Sequence, residues 1–286
     1  MINFTKMTGT GNDFIMIDNR KNIVKNRSVF AKEYCRQHYS IGADGVIFIE
    51  APHSACLADR RVPRTLHDFR MRIFNPDGSE AEMCGNGARC AVMFSYLKGI
   101  VKKRTTSFLT KAGVIQASIS KENIKLKMVE PVDVMLNKKI KIKNSYLTVH
   151  HIDTGVPHTI VIVKDAEKVD IDNYSPQIRY NKVFRKGTNV DYVQILNGHS
   201  IKMRTYERGI EGETLACGTG ATASAIILSL LGYTRSPVDV IVKGGKLKIY
   251  FELNESSCCG TCKVCHGISN VFLEGEAKVV YEGVIK

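Results

Sequence analysis

The order of apolar and polar residues predicts many short strands and two buried helices. Segments such as DGVIFIE, FRMRIF, HTIVIVKD and KLKIYFEL are rich in Val, Ile, Phe and Tyr and are bounded by turn-forming residues, which is typical of β-strands. Residues 88–97 and 221–231 instead have helical length and end at Gly99 and Gly232, as expected for glycine C-caps. Both runs are apolar around nearly their whole circumference, so each helix must be buried on all sides.

The same pattern occurs twice. CGNGARCAVMFSYLKG starts at Cys84, CGTGATASAIILSLLG starts at Cys217, and IGADGVIFI has a counterpart in KGTNVDYVQI. Recurrence in the same order predicts a duplicated fold. We therefore expect an α+β protein of two pseudo-symmetric halves with a cleft between them, each half a curled, mostly antiparallel β-sheet around a central helix. The halves are placed at residues 1–128, with a C-terminal strand at about 275–286, and at residues 129–274.

Composition narrows the class of protein. The chain has 286 residues, of which 44% are hydrophobic and 24% charged, as in ordinary globular proteins of about two domains. The start, MINFTKMTGTGNDF, does not resemble a secretory signal, and the longest apolar stretch, 221–233, is shorter than the roughly 20 residues that span a bilayer. We expect a cytoplasmic protein with no membrane partner, whose nine cysteines are reduced thiols.

The net charge of the chain gives little indication of its binding partners. The formal net charge is +13, but much of the excess consists of single lysines along strand-like segments such as KENIKLKM, where alternation puts them on a solvated face. An arginine-rich arm or an aromatic platform is not evident in the sequence. Nucleic acid is therefore not expected as a partner.

The repeated cysteines suggest a specific chemistry. Each precedes a predicted helix, whose free amides and dipole stabilise an anion and can lower the pKa of a thiol from about 8.5. The following glycines let backbone amides approach a carboxylate. Two such thiols on opposite sides of one carbon could invert a stereocentre. A buried cysteine before a helix is ordinarily an inert small hydrophobe, but two matches at corresponding positions favour the functional interpretation.

The chain resembles the diaminopimelate epimerase family through FTKMTGTGNDFIMID, IGADGVIFIE, MRIFNPDGSEAEMCGNGARC, RTYERGIEGETLACGTGA and GEAKVVYEGVI. The resemblance implies a homodimeric isomerase without cofactor or metal, which interconverts LL- and meso-diaminopimelate for lysine and peptidoglycan synthesis. It implies that Cys84 and Cys217 are the catalytic base and acid. It assigns substrate binding to Asn12, Asn75, Gly85, Asn86, Asn189, Glu207, Arg208, Gly218 and Thr219, and an auxiliary role to His158.

Within this set, the three asparagines Asn12, Asn75 and Asn189 are expected to hold the distal amino acid end of the substrate. Arg208 is expected to bind its distal carboxylate, since guanidinium pairs with carboxylate bidentately. Asn12 and Asn75 lie beside Gly and Pro, so each taken alone could be a turn former.

One residue and two segments depart from the family pattern. Val156 stands where the family commonly has Asn, so one contact to the substrate is in doubt. The segment ESSCCGTCKVCHG carries Cys258, Cys259, Cys262, Cys265 and His266, whose spacing could hold zinc and matches a haem attachment pattern; a reduced loop without metal is the alternative. Residues 51–69 form a longer, basic stretch with no functional explanation.

Other functions remain open at this stage. A racemase of proline or histidine could use the same fold and the same two thiols. A non-enzymatic thiol or metal protein would instead place its function in the cysteine-rich segment. A pyridoxal phosphate enzyme could catalyse such a reaction, but nothing in the sequence requires that cofactor.

Overall fold

The structure is a computed structural model that describes residues 1–52, 67–143, 145–255 and 266–286. It divides into two compact units, Met1–Leu126 with Gly275–Lys286, and Lys127–Glu274. Across the described ranges, none of the helices has the length and apolar character needed to cross a bilayer.

The first unit is a sheet that surrounds one helix. Its strands and helices are β1 (Ile2–Gly9), β2 (Asn12–Asp18), α1 (Arg27–Tyr34), β3 (Gly45–Glu50), β4 (Phe69–Phe74), β5 (Glu80–Ala81), α2 (Gly85–Leu97), β6 (Thr105–Thr110), β7 (Gly113–Ser120) and β8 (Asn123–Lys127). β2–β3 and β4–β6 pair in parallel, whereas β1–β2, β3–β4, β4–β5, β6–β7 and β7–β8 are antiparallel. The sheet is therefore mostly antiparallel.

The second unit repeats this order. Its elements are β9 (Val132–Ile142), β10 (Ser145–Asp153), β11 (Pro157–Ile162), α3 (Ile171–Arg179), β12 (Asn189–Asn197), β13 (Ser200–Glu207), β14 (Gly212–Thr214), α4 (Gly218–Leu230), β15 (Val238–Val242), β16 (Gly245–Glu255) and β17 (His266–Glu276). β11–β12 and β13–β15 are the parallel pairs, at the same places in the order as in the first unit. The last strand, β18 (Lys278–Ile285), pairs with β1 as β9 pairs with β10.

The two central helices are buried, as their uniform apolarity predicts. In α2 every residue from Asn86 to Ser95 is buried, and in α4 every residue from Gly220 to Leu228 is buried. One apolar cluster joins α2 to side chains of β1, β2, β3, β4, β6, β7 and β8, and another joins α4 to strands of the second unit. Removing apolar surface from water contributes about 25 cal/mol of stability per Å². Because each helix is buried on all sides, it forms the core of its unit.

The ends of α2 and α4 determine where the two repeated cysteines lie. Gly99 and Gly232 follow them with φ of 68° and 80°, the left-handed conformation of a C-terminal glycine cap. Both helices begin three residues earlier than the apolar runs indicate, at Gly85 and Gly218. Cys84 and Cys217 are consequently the N-cap residues themselves.

Candidate active site

Each cysteine has the backbone of an N-cap. Cys84 has φ −142° and ψ 121°, and its Sγ accepts from the Gly87 amide at 3.5 Å. Cys217 has φ −124° and ψ 112°, and its Sγ lies 3.3 Å from Thr219 Oγ1. The amides of the first helical turn have no partner within the helix. The sulfur atoms therefore lie at the positive end of the helix dipole.

In the first unit, the structure brings Asn12 to the turn that follows Cys84. Asn86 is buried, and its Nδ2 donates to Asn12 Oδ1 at 2.6 Å. Asn12 Nδ2 in turn donates to Asp44 Oδ2 at 2.9 Å. Two residues expected to bind substrate, 74 positions apart in sequence, are thus neighbours.

Asn75 takes part in a different set of contacts. Its Nδ2 donates to Ser79 Oγ at 3.0 Å, and its backbone amide bonds to Ser79 O at 2.9 Å. These contacts close the turn between β4 and β5. The structure therefore shows Asn75 in the local turn role, and its role toward substrate stays a prediction.

In the second unit, His158 is the centre of a buried polar cluster. Its Nδ1 lies 2.7 Å from Asp191 Oδ2, and neither side chain is exposed. Its Nε2 lies 2.9 Å from Thr219 Oγ1, which also contacts Cys217 Sγ at 3.3 Å. A continuous line of polar contacts thus runs from Asp191 to the Cys217 thiol.

Asn189 and Arg208 adjoin this cluster. Asn189 Nδ2 lies 3.4 Å from His158 Nε2 and donates to Pro157 O at 3.1 Å. Asn189 Oδ1 accepts from the Arg208 amide at 2.8 Å, while the Arg208 guanidinium donates to Lys186 O at 2.9 Å. The backbone of Arg208 is therefore fixed against the same asparagine that contacts His158.

Burial and charge change the titration of two groups here. Burial alone would lower the pKa of His158, but the charge and hydrogen bond of Asp191 outweigh it and raise this pKa to about 10, with smaller contributions from Cys217. Burial raises the pKa of Glu207, partly offset by the hydrogen bond that Thr214 Oγ1 donates at 2.5 Å and by the charge of His158. The Asp191 carboxylate thus favours the protonated form of His158.

Two buried polar residues, Asp191 and Arg89, were not among the residues predicted from the sequence. Asp191 lies two residues after Asn189 in β12 and so on the same face of the strand; that alternation was the available signal. Arg89 is a fully buried cation in α2. Its signal was its position in a helix that was otherwise predicted to be apolar all round.

Gly220 permits the close approach of α4 to the buried pair. A Cβ at this position would lie 2.5 Å from Asp191 Oδ1 and 3.1 Å from His158 Cε1. Alanine within a helix normally stabilises relative to glycine. We nevertheless expect Gly220→Ala to lower the free energy of unfolding by about 1–3 kcal/mol, measured by chemical denaturation.

Gly198→Ala is the matched control, since a Cβ at Gly198 meets nothing within 4 Å. Its stability should equal that of the wild type. A Gly220→Ala variant as stable as this control would contradict the assigned packing.

Two parts of the sequence analysis fall outside the described residues. They are the cysteines Cys258, Cys259, Cys262 and Cys265 with the side chain of His266, and most of the basic stretch at 51–69. Within the ranges that the structure does describe, no group of three or more His, Cys, Asp or Glu is arranged to hold a metal. Val156 is described, and its carbonyl accepts from the Thr154 amide at 3.2 Å.

Comparison with solved structures defines the class of fold. A phenazine biosynthesis protein of the PhzF family from Bacillus anthracis matches with a TM-score of 0.70 and 15% identity, over 100% of this chain and 99% of that one. At that identity the match shows the fold alone. The chain has the duplicated α+β architecture predicted from its sequence.

Comparison of sequences identifies the family. The model for diaminopimelate epimerase matches residues 4–135 and 150–265. The diaminopimelate epimerase of Methanocella arvoryzae is 41% identical, over 99% of this chain and 96% of that protein, and the one of Aquifex aeolicus is 40% identical, over 98% and 96%. This chain belongs to the diaminopimelate epimerase family.

Proposed function

We propose that this protein is an isomerase that interconverts LL- and meso-2,6-diaminopimelate by moving a proton at one α-carbon, with Cys84 and Cys217 as base and acid. The observation that carries the proposal is the repeated N-cap cysteine on the central helix of each unit. Inversion removes a proton from one face of the carbon and adds one to the other. A duplicated fold supplies one thiol for each step.

The helix starts support both the thiols and the substrate. Free amides at Gly85, Asn86, Gly218 and Thr219 belong to the first turns of α2 and α4. These amides can bind the α-carboxylate of an amino acid. As the α-proton leaves, charge spreads onto that carboxylate, and donors already in place stabilise it without reorganisation.

Cys217 is connected to His158 through one hydroxyl group. The buried His158 side chain contacts Thr219, which contacts Cys217 Sγ. We infer that Cys217 takes the proton as thiolate in one direction and returns it as thiol in the other.

The distal residues favour a substrate with amino acid groups at both ends. A guanidinium has five N–H donors, so Arg208 can bind a carboxylate while keeping its contact with Lys186. Asn12, Asn75 and Asn189 can hold the distal ammonium and carboxylate groups by their side-chain amides. Proline and histidine have no second amino acid group for these residues to bind, so racemisation of either is the weaker alternative.

We also infer the cofactor requirement, the cellular location and the oligomeric state of the enzyme. Two thiols and helix amides suffice for the proton transfer, so we infer a mechanism without pyridoxal phosphate or metal. We place the enzyme in the cytoplasm, where thiols stay reduced, with a role in lysine and peptidoglycan synthesis. By its family resemblance we expect a homodimer.

The test is an assay of purified protein under reducing conditions with LL-diaminopimelate, meso-diaminopimelate, L-proline and L-histidine as separate substrates. We expect interconversion of the first two alone, without added cofactor. Racemisation of proline or histidine with no action on diaminopimelate would replace the proposal by the alternative. Val156→Asn, assayed in parallel, shows by its KM whether the family's amide at this position improves binding.

A further inference from the structure

Arg89 is a buried charge without a carboxylate partner. Its side chain is fully buried, and in the described part of the chain no carboxylate lies within ion-pairing distance of it. It donates to Thr10 Oγ1 at 2.6 Å, Asn86 Oδ1 at 2.7 Å, Gly85 O at 3.3 Å and Glu276 O at 3.4 Å. An unpaired buried charge costs several kcal/mol, so a role beyond packing is expected.

The two closest acceptors of Arg89, on Thr10 and Asn86, lie in segments that also carry proposed site residues. Thr10 lies between β1 and β2, directly before Gly11 and Asn12, and has φ 50°. A β-branched residue at such a φ is strained and persists only where its surroundings hold it. The bond from Arg89 holds it in place. The bonds to Gly85 and Asn86 hold the turn after Cys84 in the same way.

The guanidinium also fixes the direction of a hydrogen-bond chain. Arginine can only donate, so Asn86 must turn Oδ1 toward it. Asn86 Nδ2 then donates to Asn12 Oδ1 at 2.6 Å, and Asn12 Nδ2 donates to Asp44 Oδ2 at 2.9 Å. The cation at one end and the Asp44 carboxylate at the other thereby set the orientation of two amides that the proposed function assigns to substrate binding.

The guanidinium lies close to the Cys84 N-cap, because its Nη1 donates at 3.3 Å to the carbonyl of Gly85, the residue that follows Cys84. Burial lowers the pKa of Arg89 to about 10. The Cys90 thiol is itself held neutral, because burial raises its pKa to about 12. Among the described residues, the charged groups beside this series of hydrogen bonds include Asp44 at its far end and the ion pair of Lys6 and Asp13, whose Nζ and Oδ2 lie 2.8 Å apart.

We propose that Arg89 is a positioning residue of the first half of the site: its hydrogen bonds help to orient Asn86 and Asn12, and its charge, held beside the residue that follows Cys84, favours the thiolate form of Cys84. This inference rests on the proposed function for the identity of the substrate. Its electrostatic part can be measured without any substrate.

The test compares alkylation of single thiols in the full-length protein. Wild type, Arg89→Met and Arg89→Lys are treated with iodoacetamide at pH 7, and the rate at each cysteine is read by peptide mass spectrometry. Arg89→Met removes the charge with little change in length. We expect it to slow alkylation of Cys84 about tenfold, as a rise of one unit in the thiol pKa would. Cys217, in the other unit, is the internal control and should not change.

Arg89→Lys separates charge from geometry. Lysine keeps the charge but lacks the planar fork, so Cys84 should react within about threefold of the wild-type rate, while KM for diaminopimelate rises about tenfold through loss of charged hydrogen bonds. An unchanged Cys84 rate in a folded Arg89→Met variant would overturn the inference. If that variant does not fold, an unchanged KM in Arg89→Lys would overturn it.

These outcomes are distinct from failure of the proposed function. A wild-type protein that does not act on diaminopimelate refutes the proposed substrate. Even in that case, slower alkylation of Cys84 in Arg89→Met would support the effect of the buried charge on the thiol, because this measurement needs no substrate.

Discussion

Replacing Cys217 or Cys84 with serine is expected to lower the rate of epimerisation by about 10³-fold or more. A serine hydroxyl at the N-cap preserves the helix start, because serine is itself a good N-cap residue. It cannot act as a base near pH 7, since its pKa lies far above that of a thiol. Turnover of LL-diaminopimelate by each single variant, with circular dichroism to confirm the fold, is the measurement.

Cys35→Ala is the matched control for these variants. Cys35 is a buried cysteine at the C-cap of α1, and burial raises its pKa to about 12. It should be chemically inert, and its replacement should leave turnover unchanged. Full activity in either serine variant would exclude the two-thiol mechanism.

Asp191→Asn is expected to lower the free energy of unfolding by about 3 kcal/mol at pH 7, because it removes the counter-charge that keeps the buried His158 protonated, so that the stabilising ion pair is lost. The pH dependence follows from His158, whose pKa rises from 6.5 to about 10 on folding. A raised pKa means that the folded state binds the proton more tightly. The stabilisation is therefore complete below pH 6.5 and is lost as pH rises through about 10.

Denaturant unfolding at a series of pH values checks both parts. Wild type should lose stability between pH 6.5 and 10, and Asp191→Asn should show a much flatter profile. Asp172→Asn, at an exposed position in the first turn of α3, is the control and should change stability by less than about 1 kcal/mol. Parallel pH profiles for wild type and Asp191→Asn would contradict the assigned charge state.

The architecture was accessible from sequence because local patterns determine it. Uniform apolarity over 88–97 and 221–231 required buried helices, and Gly99 and Gly232 fixed their ends; the structure confirms both. The starts were less certain, since glycine is a poor helix former. Gly85 and Gly218 are nevertheless the first residues of the two helices, where a backbone amide has no partner within the helix to lose.

The polar networks were not accessible in the same way. The bonds from His158 to Asp191 and from Arg89 to Thr10 join residues 33 and 79 positions apart, and no spacing rule predicts such contacts. Arg89 is also a buried charge in α2, a helix whose other residues are uncharged. Such local inconsistencies are expected at functional positions.

Proton tracing in D₂O tests most directly whether two different thiols act on opposite faces of one α-carbon. A base that removes the proton and a second, solvent-equilibrated thiol that delivers another should label the product at its α-carbon from the first turnovers. The remaining LL-diaminopimelate should stay unlabelled early in the reaction. Product that keeps the original proton would show that one group both removes and returns it, and would contradict the account.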